Sequence, residues 1–219
     1  MPPINRWFRV TAAFTLSLLC ASPCLAEDTA NATAPGTAYA SVMRTINPRL
    51  QEHTSLAYAT ALLDDAHRMH VDPVLVMAVV TVESHWNSQA VSYHGAEGLG
   101  QLKPETAREL GVDPFSGRSN LRGITMYLHL LLSLFSAARE PIREAIAGYN
   151  AGPYAVKASG GIPRNGETPH YVEKVMSVWH ALRVRLGADP SANDVARELA
   201  APALLERDQA AYWGAGGAR

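Results

Sequence analysis

Glu83 is the residue whose type and setting most clearly suggest chemistry. It lies within the run Asp72 to Trp86, directly after Val74 to Val82, which carry no charge and of which only Thr81 is polar. A carboxyl at the end of a buried helix meets two effects that disfavour its charged form: loss of water, and the negative end of the helix dipole. A carboxylic acid kept neutral near pH 7 is suited to act as a general acid. On the helix alone, an exposed glutamate where the chain leaves the core is the stronger reading, because charged side chains are seldom fully buried. Three other groups of residues could do chemistry. Gly95, Gly98 and Gly100 let the backbone turn tightly or approach a ligand, but the Gly-Lys-Ser/Thr ending of a phosphate loop is missing. Tyr149 and Asn150 precede Ala151-Gly152-Pro153, a helix end from which polar side chains can look into a cleft. His67 and His70 lie three apart without a His-Glu-x-x-His pattern, so they read as surface residues and no metal is expected.

Helices must position these groups. Asp72 suits a helix cap and Pro73 the first helical position, where its missing N–H costs nothing. Apolar residues all round the next turns imply a buried helix, far shorter than the roughly 20 residues that cross a bilayer. Before it, Leu56, Ala59, Leu62, Leu63, Ala66 and Met69 recur at helical spacing and predict a helix from Thr54 to His70. After it, Pro104 opens a short helix to Leu110, stopped by Gly111. Ser119 or Asn120 then caps a helix with Leu121, Ile124, Leu128, Leu131, Leu132 and Phe135 on its core face. Pro141 opens a helix that ends at Asn150, with Pro153 blocking continuation. Gly160 to Gly166 reads as a loop. Thr168 caps a last helix with Pro169 in its first turn and a core stripe of Val172, Val175, Met176, Trp179 and Leu182.

Four segments, in order, make the sequence resemble the soluble-type, goose-lysozyme-like lytic transglycosylases. They are Glu83-Ser84 with Asn87 and Ala90-Val91-Ser92; Gly95 through Ala107; Gly148-Tyr149-Asn150-Ala151-Gly152-Pro153; and Glu167-Thr168 with Tyr171-Val172. The resemblance runs from about Asp72 to Trp179. It implies a mainly α, lysozyme-like domain with a short irregular, β-hairpin-like segment after the catalytic helix. It implies cleavage of the β-1,4 bond between N-acetylmuramic acid and N-acetylglucosamine in peptidoglycan, leaving a 1,6-anhydromuramyl end. Glu83 would be acid and then base. Ser84, Ser92, Gly98 and Gln101 would lie along the substrate, Tyr149 would hydrogen-bond near the Glu83 carboxyl, and Asn150 would support that corner. Glu167 and Tyr171 would face the cleft from the last helix. Gly100 departs from the family, which usually has Met there, and the expected consequence is a gap in the apolar wall beside the sugar. Two other readings stay open: a lysozyme-type hydrolase using Glu97 or Glu167 to activate water, and a wall-binding protein that holds glycan without cutting it.

Composition bounds the rest. The 219 residues are 47% hydrophobic, enough for one domain with a sizeable core. A net charge of −1 gives no nucleic-acid footprint. Arg6 and Arg9, an apolar stretch from Val10 to Ala21, and Cys24-Leu25-Ala26 read as a cleaved secretory signal over residues 1–26, and so as a periplasmic protein. An uncleaved anchor is the competing reading. Cys20 and Cys24 are the only cysteines, so the remainder holds no disulfide. The expected layout is a flexible lead-in at 27–48, the transglycosylase domain at 49–186, and an Ala-rich extension at 187–219. Peptidoglycan strands are the expected partner of a monomer without cofactors. Service to an envelope-spanning secretion or conjugation apparatus is a further possibility that no residue names.

Overall fold

The computed structural model describes residues 35–187, in which eight helices follow one another. They are α1 (Pro35–Ile46), α2 (Glu52–Met69), α3 (Pro73–Ser84), α4 (Pro104–Glu109), α5 (Gly117–Leu134), α6 (Pro141–Ala151), α7 (Pro153–Ser159) and α8 (Thr168–Arg185). The expected signal (1–26) and nearly all of the expected extension (187–219) lie outside the described residues.

The central helix is α3. Asp72 Oδ1 accepts from the Val74 N–H at 2.8 Å, and Pro73 occupies the first turn, as the sequence predicts. Every residue from Val74 to Thr81 is buried. Thr81, the polar member, donates to the Met77 carbonyl at 2.7 Å and accepts from Trp86 Nε1 at 3.3 Å, so it carries no unmet hydrogen bond into the core. Helix α8 lies against α3, and α2 and α5 also border it. The Asp72 Oδ2 accepts from Trp179 Nε1 of α8 at 2.9 Å, which ties the start of α3 to the later half of α8.

Directly after α3 the backbone turns sharply. His85 and Trp86 both have positive φ, 50° and 64°, a conformation that costs a bulky L-residue energy. Burial of the Trp86 ring offsets that cost: it is 1% exposed, stacks on Tyr58 of α2 at 6.3 Å, and its carbonyl accepts from Asn47 Nδ2 at 3.4 Å. The segment that follows folds back twice, with antiparallel bridges Val91 to Glu97 and Glu97 to Leu102. This is the short hairpin-like segment expected in an otherwise helical fold.

Several expectations need correction. The region read as a flexible lead-in contains α1, which packs on α2 and buries Ala40, Val42 and Met43. Leu56, placed on the core face of α2, is 37% exposed, and Ser55 and Asp65 take buried positions instead. Helix α5 begins at Gly117, so Ser119 and Asn120 sit inside its first turn rather than before it. Pro153 does not simply end a helix; it starts α7 in the first-turn position that proline favours. Thr168, read as the cap of α8, is its first residue; the cap position is Glu167, and Asn165, two residues earlier, accepts at Oδ1 from the N–H groups of Glu167 and Thr168 at 3.2 and 2.8 Å.

Candidate active site

Glu83 lies in the last turn of α3, partly buried, and its Oε1 accepts a 2.6 Å hydrogen bond from the Tyr171 hydroxyl of α8. Its carboxyl pKa is pushed up to about 8. Burial is the main cause and the charge of Glu167 adds to it, while the Tyr171 hydrogen bond and the charge of Lys174 act in the opposite direction. Glu83 therefore keeps its proton at neutral pH, where a free carboxylic acid would have lost it. Any step that needs this proton proceeds below about pH 8 and fades as pH rises through that value. Because the Tyr171 hydroxyl favours the charged form, Tyr171→Phe should move the alkaline limb of the pH–rate profile upward and lower kcat. A downward shift of that limb would contradict this role of Tyr171.

The tyrosine bonded directly to the carboxyl is Tyr171, which the resemblance placed only along the cleft. Tyr149, at the end of α6, donates to the Gly100 carbonyl at 2.9 Å. It remains close enough to Glu83 that burial, and then the Glu83 charge, raise its pKa well above the usual value. Asn150 braces the corner. Its Nδ2 donates to Glu167 Oε1 at 3.0 Å, and its Oδ1 accepts from the Thr168 hydroxyl at 2.7 Å, joining the end of α6 to the start of α8. Glu167 is the carboxylate whose charge reaches Glu83; Glu97 is not among the causes of the Glu83 shift.

The glycine-rich segment borders this corner through the Gly100 carbonyl that Tyr149 holds. Gln101, held at φ 49°, donates from Nε2 to the carbonyls of Ala90 and Gly98 at 3.1 and 3.0 Å. Its Oε1 is buried without a hydrogen-bond partner among the described residues, an acceptor in a fixed position. Ser92 accepts from the Ala96 N–H at 2.9 Å and so shapes the turn. Ser84 is buried, with its hydroxyl 3.4 Å from the Val80 carbonyl of its own helix, so it does not stand open to a ligand. Gly98 has φ +74°, and a Cβ there would lie 2.0 Å from the Pro114 carbonyl oxygen, so this position requires glycine for packing.

Asn120, which the sequence offered only as a possible cap, fixes this segment. It is fully buried in α5. Its Oδ1 accepts from the Gly100 N–H at 2.9 Å, and its Nδ2 donates to the carbonyls of Glu97 and Pro114 at 3.2 and 2.8 Å.

The gap expected at Gly100 is absent. A Cβ there would meet Ile124 Cγ1 at 2.2 Å, Ile124 Cδ1 at 2.5 Å and the Tyr149 hydroxyl at 2.8 Å. Ile124 is wholly buried, so it has nowhere to retreat. The Ile124 side chain of α5 occupies the space beside the glycine. Gly100→Met should consequently overpack the site, costing about 1–3 kcal/mol of stability and displacing Tyr149. A denaturation midpoint at or above that of the wild type would show that the site accepts the side chain.

Comparison with known proteins identifies what this arrangement belongs to. The sequence profile described as "Transglycosylase SLT domain" matches residues 60–172, just over half of the chain, and those residues include Glu83, Gln101, Tyr149 and Tyr171. The chain belongs to this family. A membrane-bound lytic murein transglycosylase F from Desulfosudis oleivorans is 32% identical over 139 residues, covering 61% of this chain and 31% of that protein. The protein of the same name from Yersinia enterocolitica is 37% identical over 94 residues, covering 41% and 19%. The chain therefore spans less than a third of these curated relatives. Among solved structures, an inactive mutant of the lytic transglycosylase Slt from Pseudomonas aeruginosa is 26% identical with a TM-score of 0.52, covering 68% of this chain and 28% of that one. The 70 kDa soluble lytic transglycosylase of Escherichia coli shares the fold with a TM-score of 0.54 at 24% identity, covering 67% and 26%. The mainly helical fold of the SLT domain is the one expected from the sequence.

Proposed function

We propose that this SLT-domain protein is a peptidoglycan lytic transglycosylase in which Glu83 is the single acid and base. The observation that carries this reading is the Glu83 carboxyl, neutral up to about pH 8 and hydrogen-bonded by Tyr171. Neutral Glu83 gives its proton to the glycosidic oxygen linking N-acetylmuramic acid to the next N-acetylglucosamine, and that bond breaks. The muramoyl sugar's own acetamido group stabilises the positive charge left at C1, as in substrate-assisted glycosidases. The Glu83 carboxylate, steadied by the Tyr171 hydroxyl, then takes the proton from the C6 hydroxyl. The C6 oxygen bonds to C1, closing the anhydro ring and restoring the acid. Gln101 and the backbone around Gly98 and Gly100 line the sugar.

The intramolecular C6 hydroxyl has an advantage over water, because effective molarities of such groups reach roughly 10⁵–10⁸ M. The hydrolase alternative would enlist Glu167, whose charge reaches Glu83. The bond between Glu167 and Asn150 supports a bracing role instead. The same reading places the protein in the periplasm, exported by a cleaved leader. No described helix is long and apolar enough to cross a membrane. A specialised secretion or conjugation apparatus is a partner in keeping with such an enzyme.

Borohydride treatment of digested sacculi tests the reaction. Products ending in anhydromuramic acid resist reduction, and that is the expected outcome. Reducible muramic ends would assign a lysozyme.

A further inference from the structure

Glu167, Tyr171 and Lys174 follow one another at i, i+4 and i+7 along the start of α8, so they share a face. Tyr171 fixes where that face points, because its hydroxyl lies 2.6 Å from Glu83 Oε1. Lys174 stands one turn further on, half-buried. Its charge is felt by both Glu83 and His85, the residues on either side of Ser84. No ion pair engages Lys174 among the described residues. Its neighbour Glu173 pairs with Arg143 of α6, and Glu167 is held by Asn150. A half-buried ammonium with no carboxylate of its own gives little to the fold, since partial desolvation is not repaid by a partner. It is suited to receive an anion brought by a ligand.

N-acetylmuramic acid differs from N-acetylglucosamine by a lactyl ether on O3. The lactyl carboxyl is either free or joined to a stem peptide that carries carboxylates of its own. Resting on the function proposed above, we propose that Lys174 is a specificity-determining residue that binds a carboxylate on the muramoyl side of the glycan and so distinguishes it from neutral N-acetylglucosamine polymers.

The test compares the wild-type chain with Lys174→Met and Lys174→Arg on two substrates. One is intact peptide-bearing strands, and the other is strands stripped of peptide by an amidase, which leaves the lactyl carboxylate free. Chitotetraose serves as the neutral competitor, and strand affinity is also measured by calorimetry. Lys174→Met should raise KM and weaken strand binding on the order of tenfold, the loss of one charge-assisted hydrogen bond. The inhibition constant of chitotetraose should stay unchanged, and Lys174→Arg should recover most of the affinity. An effect confined to peptide-bearing strands assigns the carboxylate to the stem peptide; an effect confined to stripped strands assigns it to the lactyl group, which is a neutral amide until the peptide is removed; an effect on both shows that Lys174 accepts either carboxylate. Unchanged KM and affinity on both substrates would overturn the inference. So would equal weakening of strands and chitotetraose, which would report a distorted cleft, or a loss confined to kcat. A wild type that binds strands without cutting them would refute the proposed function but leave the binding comparison decisive here.

Discussion

Glu83→Gln should abolish turnover while leaving the fold and glycan binding in place. The amide has nearly the same shape and can still accept a hydrogen bond from Tyr171, but it has no acidic proton to give. General acid–base catalysis contributes roughly 10²–10⁴-fold, and a residue that serves in both directions should sit at or beyond the upper end of that range. The variant should also be no less stable than the wild type at high pH. There the wild type must bury a charged carboxylate, against which its raised pKa of about 8 testifies, and the amide need not. Retention of more than about a tenth of wild-type activity would show that another group supplies the proton.

Replacing Asn120 should have the largest effect on stability. Asn120→Ala removes three hydrogen bonds at once and strands the Gly100 N–H and the Pro114 carbonyl, while the Glu97 carbonyl keeps its bond from the Leu102 N–H. Each buried polar group left unpaired costs about 1–3 kcal/mol, so a loss of about 3–5 kcal/mol is expected after some relaxation. In a domain of this size that corresponds to a fall of about 6–20 °C in Tm. Asn120→Asp should not rescue it. The carboxylate keeps an acceptor for the Gly100 N–H but turns an oxygen toward two carbonyls. Calorimetry on both variants checks this, and a loss under about 1 kcal/mol for the alanine variant would show that the loop is held by its own turns.

These two residues differ in how far the sequence announced them. Glu83 was legible because Asp72 and Pro73 mark the helix start and an unbroken apolar run makes the next carboxylate conspicuous. The stripe on α8 was legible for a similar reason: Val172, Val175, Trp179 and Leu182 are all buried as their spacing requires. Asn120 was not, because an asparagine near a helix start reads as a cap. Its bonds to Glu97 and Gly100 span 23 and 20 residues, which no local pattern encodes. The choice between Tyr149 and Tyr171 depended on how α3 and α8 pack, and both positions lay near the cleft in the motif order. The filling of the Gly100 position depended on Ile124, which periodicity marked only as core. Helix α1 is hard to read from sequence because its segment is rich in Ala and Thr. Its inner face relies on Tyr39, Met43 and Ile46, a stripe too short to stand out from its surroundings.

The most direct test of the reaction is digestion of sacculi in water enriched in oxygen-18, followed by mass spectrometry of the released muropeptides. If the C6 hydroxyl is the nucleophile, the new muramoyl end gains no oxygen from solvent. The products should then carry no label and weigh one water less than lysozyme products from the same sacculi. One labelled oxygen at the muramoyl end of each product would mean that water attacks C1, and would contradict the proposed role of Glu83 as the base that closes the anhydro ring.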